Sequence, residues 1–62
     1  MIKAIVVCKD GKQRTFRDLT TVDMDLVAKE VMSGHGFMIA SGGILGSYAP
    51  GSVDRVIFED QQ

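Results

Sequence analysis

With 62 residues the chain has room for one domain, and a hydrophobic content of 45% is too high for a disordered tail. Seven basic residues against eight acidic ones give a net charge of −1, without the positive balance usual in proteins that live on nucleic acid. Cys8 is the sole cysteine and His35 the sole histidine, which excludes an internal disulfide and a cysteine-rich metal site.

A domain this small buries only about 60% of its unfolded surface, so an efficient core or oligomerisation has to supply its stability. No cofactor is expected. A lone thiol suits a reducing compartment. Met1 runs straight into a β-rich segment with no apolar leader, and no apolar run approaches membrane-spanning length. The expectation is a cytoplasmic protein with no membrane partner.

Residues 2–9 (IKAIVVCK) are rich in β-branched side chains and predict a strand. Asp10-Gly11 predicts a two-residue type I′ turn, and residues 12–17 the returning strand. That turn pairs Ile5 with Phe16 and Val7 with Arg14. It places Ile5, Val7 and Phe16 on one face and Ile2, Ala4, Val6 and Cys8 on the other. A strand apolar on both faces belongs in the centre of a sheet.

Thr20 or Thr21 is placed to cap a helix over residues 21–33, with Asp23 and Asp25 in its first turn. Met24, Val27, Ala28 and Val31 recur at helical spacing, and Leu26 and Met32 widen the stripe. Asp25 and Lys29 form an i, i+4 charge pair, and Gly34 is a natural helix-ending residue. Beyond it the pattern predicts a β-meander. Strands are expected over residues 37–40, 44–49 and 53–59, with turns at Ser41-Gly42-Gly43 and Pro50-Gly51. Gly46 marks a bulge or a close contact, and residues 60–62 are expected to fray. The fold class is α+β, ββαβββ, a small antiparallel sheet with one helix on one face, forming a single domain over 1–62.

No arrangement of nucleophile, base and orienting acid is recognisable, so the chain is not expected to be an enzyme. His35, between two glycines, reads as a helix-end residue interacting with the last carbonyls, and Cys8 as a small buried side chain. The four methionines read as core filling on the helix and third strand. The stretch from Gly42 to Ser47 lacks the lysine and following helix of a phosphate loop. If a small ligand binds, Ser41, Gly42, Gly43, Gly46, Ser47 and Tyr48 are the candidate loop.

Charge is asymmetric. Residues 1–17 carry +4 and residues 18–62 carry −5. Lys9, Lys12, Arg14 and Arg17 are therefore candidate contacts for an anion or nucleic acid, although the aromatics available for base stacking are few. The simpler reading is a solvated hairpin whose cations protect a sheet edge.

One helix covers one face of a sheet whose first and last strands are apolar on both. The exposed second face, with Ile2, Ala4, Val6 and Cys8, is thus the expected interface with a partner, most simply another copy of the chain; the rival is a sheet curled enough to wrap the helix and close its other side on itself. In size and in its compact α+β pattern the chain resembles the small accessory proteins of phages and prophages. That resemblance implies a protein that binds and blocks, or binds and sequesters, a host component; with the unshielded sheet face it gives the expectation of a homo-oligomeric binding protein that occludes or sequesters its partner. The alternatives are a nucleic-acid-binding module using the basic hairpin and an oligomeric scavenger of an anionic small ligand, such as a nucleotide, held by the glycine-rich loops.

Overall fold

In the computed structural model, which describes residues 1–61, six elements follow the expected order. They are β1 (Ile2–Cys8), β2 (Gln13–Leu19), α1 (Thr21–Ser33), β3 (Phe37–Ser41), β4 (Ile44–Tyr48) and β5 (Val53–Asp60). The fold is α+β with antiparallel pairing throughout, and the helix packs against the sheet. The meander does not form. β5 crosses to pair with β1, giving a three-stranded sheet ordered β2-β1-β5, and β3 and β4 make a separate two-stranded sheet. β1 takes the central place its two apolar faces require.

The first hairpin differs from the two-residue prediction. Cys8 N–H donates to the Lys12 carbonyl, and Gly11 N–H donates to the Cys8 carbonyl. Lys9, Asp10 and Gly11 thus form a three-residue loop in which only Gly11 is left-handed (φ 92°). Asp10 stays in ordinary backbone space and uses Oδ1 to accept from Lys12 N–H at 3.0 Å. The extra residue shifts the register by one, so Ala4 faces Phe16, Ile5 faces Thr15 and Val6 faces Arg14. Because side chains alternate, this slip carries Phe16 to the other face. It joins Ala4 and Val6, and all three are fully buried.

Two bulges then recruit further core. Between the Ala4–Phe16 and Ile2–Leu19 pairs, β2 spends one residue more than β1, and Asp18 sits there with φ 62°. The bulge returns Leu19 to the face of Phe16, where it is buried. In β5 the register shifts between the Val7–Arg55 and Cys8–Val53 pairs. Val53 thereby packs on the core with Val56 and Phe58 rather than opposite them with Ile57.

Helix α1 begins as expected. Thr20 Oγ1 accepts from Asp23 N–H, and the Asp23 carboxylate accepts from Thr20 N–H, a reciprocal capping box. At the other end Gly34 is left-handed, its N–H bonds to the Val31 carbonyl, and His35 N–H bonds to the Glu30 carbonyl. Val27 is buried, and Met24, Ala28 and Val31 are half-buried on the core face. Leu26 and Met32 do not widen that face but point outward, as does Val22. Asp25 and Lys29 do not come within ion-pair distance.

The β3–β4 turn is the type I′ turn of the chain, with Gly42 and Gly43 both at positive φ and Ser41 paired to Ile44. Ala49-Pro50-Gly51-Ser52 closes as a type II turn, with Gly51 at φ 74° and Ser52 N–H bonded to the Ala49 carbonyl. The end of β5 does not fray. Gln61 N–H donates to the Met1 carbonyl, and the Gln61 side chain grips Asp18, accepting from its N–H at 2.8 Å and donating to Oδ1 at 2.6 Å. Gln62 lies outside the described residues.

Candidate functional site

The sheet has a core face and an outward face, and the corrected register exchanges their roles. Ala4 and Val6 are fully enclosed by the chain's own Phe16, Leu19, Val27 and Ile39, with Ile2 packed beside them. Ile2, Ala4, Val6 and Cys8 are all core-side residues: Ala4 and Val6 are fully buried and cannot meet a partner, while Ile2 and Cys8 are half-buried. The outward face carries less apolar area than β-alternation implied, because Phe16 and Val53 have left it. There Val7 is 9% exposed and Ile5 is half-buried, with Ile57 beside them. Long polar side chains share this face, including the Lys3–Glu59 ion pair.

Exposed apolar side chains lie in two other places, the outer side of α1 with Val22, Leu26 and Met32, and the β3–β4 hairpin. In the β3–β4 sheet, Phe37, Ile39, Gly46 and Tyr48 face inward, while Met38, Ala40, Leu45 and Ser47 form the opposite face. Met38 is 68% exposed and Leu45 59%. Of the four methionines only Met24 is half-buried; Met1, Met32 and Met38 are exposed. From residue 31 to residue 53 the chain contains no Asp, Glu, Lys or Arg. This hairpin has none of the charged or proline residues that usually keep an edge from pairing with other strands. The charge-free run was visible in the sequence; that it forms an outward apolar face was not.

Gly46 is the seat of the hairpin on the sheet. A Cβ there would stand 2.5 Å from Phe16 Cζ, so glycine alone allows this approach. Tyr48 completes the contact, edge-on to Phe16 (centroids 6.4 Å apart) and tilted on Phe37 (5.2 Å).

Next to that contact lies an open cleft of about 510 Å³ lined by Cys8, Lys12, Gln13, Arg14, Gly46, Ser47 and Tyr48. It unites two residues of the predicted basic set with three of the predicted glycine-rich set. Lys9 and Arg17 are not part of it, nor are Ser41, Gly42 and Gly43, which stand at the far turn. Ser41 Oγ is buried without a hydrogen-bond partner among the described residues. Burial pushes the Tyr48 phenol upward and the Cys8 thiol adds to this, while Arg14 pulls it down.

Comparison with protein-family models, curated proteins and solved structures finds no match. The functional reading therefore stands on geometry. His35 does not use its ring on the helix carbonyls; Nδ1 stands 3.4 Å from the Glu30 carboxylate, well exposed to solvent. Among the described residues no group of three or more His, Cys, Asp or Glu is placed to hold a metal ion. No helix among them is long and apolar enough to cross a membrane.

Proposed function

We propose that this chain is a non-enzymatic binding protein that self-associates through the outward face of the β3–β4 hairpin and uses the resulting assembly to occlude a protein partner. The observation that carries this reading is the charge-free hairpin with Met38 and Leu45 turned to solvent. In a two-fold contact the residues near the axis meet their own copies, so a charge there meets like charge, whereas this face has none to meet. The edges of β2 and β5 carry Arg14, Arg17, Asp54 and Asp60 and are poor candidates for the same contact. Blocking a host component, as small phage accessory proteins do, is the kind of action such an assembly would serve. The half-buried free thiol of Cys8 suits the cytoplasm.

Light scattering across a concentration series, on the wild type and on the double variant Met38→Lys, Leu45→Lys, tests the assembly. The expected result is a wild-type mass that rises to a dimer or more and a variant that stays monomeric with an unchanged circular-dichroism spectrum. A wild-type protein that remains monomeric at millimolar concentration overturns the reading. The nucleic-acid alternative loses support from the geometry, since the four cations of the first hairpin divide between the cleft and other surfaces.

A further inference from the structure

We propose that the cleft between the β1–β2 hairpin and β4 binds a phosphate-bearing small molecule, with Lys12 and Arg14 as the anion ligands. This site borders the hairpin face at Ser47, which pairs with Met38, but its two cations lie on the other hairpin and do not depend on self-association.

Arg14 faces Val6, and Lys12 lies opposite Cys8, so both belong to the face that carries Phe16. Apolar side chains are the ordinary occupants of such positions. The Phe16 and Leu19 end of this face is covered by the core, while the Lys12 and Arg14 end stays open beside Gly46, Ser47 and Tyr48. The volume lies within the roughly 300–1,000 Å³ of small-molecule sites.

The charge is one-sided. No carboxylate lines the cleft; Asp10 Oδ1 accepts from the Lys12 backbone N–H at 3.0 Å, but among the described residues no carboxylate comes within 4.0 Å of the Lys12 ammonium or the Arg14 guanidinium. Elsewhere Lys3 and Arg55 have carboxylate partners, in a chain that is acidic overall. Two strand positions apart, the two cations sit about 7 Å from each other along the backbone, a spacing one phosphate can bridge. Their two positive charges balance the −1.5 to −2 of a phosphomonoester near neutral pH. The forked guanidinium of Arg14 can donate twice to phosphate oxygens, and the Ser47 and Tyr48 hydroxyls add neutral donors.

The test is an amide-resolved NMR titration at low salt with three probes: inorganic phosphate, adenosine monophosphate and adenosine. Both phosphates should move the amides of Arg14, Ser47 and Tyr48 saturably, and adenosine should not. Tighter binding of the nucleotide means that its organic part also occupies the cleft; equal binding means that phosphate alone is held. Lys12→Gln with Arg14→Gln should weaken binding about tenfold or more, and Lys9→Gln with Arg17→Gln should leave it unchanged. The single variants Lys12→Gln and Arg14→Gln carry the test if the double variant fails to fold. No saturable shift at millimolar phosphate, or equal weakening by the Lys9 and Arg17 pair, overturns the proposal.

Discussion

Gly46 and Phe16 show how much one atom decides in a domain of this size. Gly46 appears in the sequence as an interruption of a strand, yet β4 is unbroken and pairs Gly46 with Ile39. The residue is there for the Phe16 ring. Gly46→Ala should force the ring or the strand aside and cost about 1–3 kcal/mol, the usual range for overpacking. A urea titration by circular dichroism reads this as a lower midpoint; an unchanged midpoint would mean that the two hairpins do not touch as described. Gly34 differs, because a Cβ would meet nothing within 4 Å and the constraint is its φ of 73° alone. Gly34→Ala should therefore cost about 1–2 kcal/mol through backbone strain, with no change of packing around it.

Local signals specified the helix almost completely. Thr20, Asp23 and Gly34 lie close in sequence to the groups they bond, and the bounds of α1 follow from them. Thr20→Ala should lower stability by about 1 kcal/mol at neutral pH. Hydrogen bonds from Thr20, first through its backbone and then through its side chain, hold the Asp23 carboxyl below its usual range. A carboxyl depressed in the folded state contributes stability above its unfolded pKa and loses it as pH falls through the folded value. The difference between wild type and Thr20→Ala should thus shrink in acid; a gap that stays constant from neutral pH to well below the carboxylate range would refute the capping box. The strands were less legible. Asp18 holds positive φ while its side chain and N–H are gripped by Gln61, 43 positions away. Gln61→Ala should release both contacts, seen as faster hydrogen exchange at the Asp18 amide with the helix amides unaffected.

For the whole molecule, the core is small and centred on one ring. Phe16 and Val6 are its largest fully buried side chains. At roughly 0.05–0.15 kcal/mol per residue, a chain of 62 residues has about 3–9 kcal/mol of total stability. Phe16→Ala typically removes about 3–5 kcal/mol, a large share of that total, so the variant should melt far below wild type by circular dichroism. A cooperative melt within a few degrees of wild type would place the core elsewhere. The same ring bounds what the surface does. Because Phe16 and Val53 turn inward, the outward sheet face needs less cover than the alternating pattern implied. Unshielded apolar side chains stand instead on the separate hairpin, with Met38 and Leu45, and on the outer side of α1, with Val22, Leu26 and Met32.

Element order, the helix and its caps, the Gly42-Gly43 and Pro50-Gly51 turns and the central place of β1 were all determined by residues within a few positions of one another. Backbone conformation at those sites depends on local sterics and local hydrogen bonds. Which face each strand residue occupies was decided only in three dimensions. A one-residue difference in a loop or a bulge inverts a strand face, and the choice is settled by distant groups: Gln61 at Asp18, and the core that draws in Phe16 and Val53. The cleft belongs to the same class, since Lys12 and Arg14 meet Ser47 and Tyr48 only because Gly46 lets the second hairpin rest on the first.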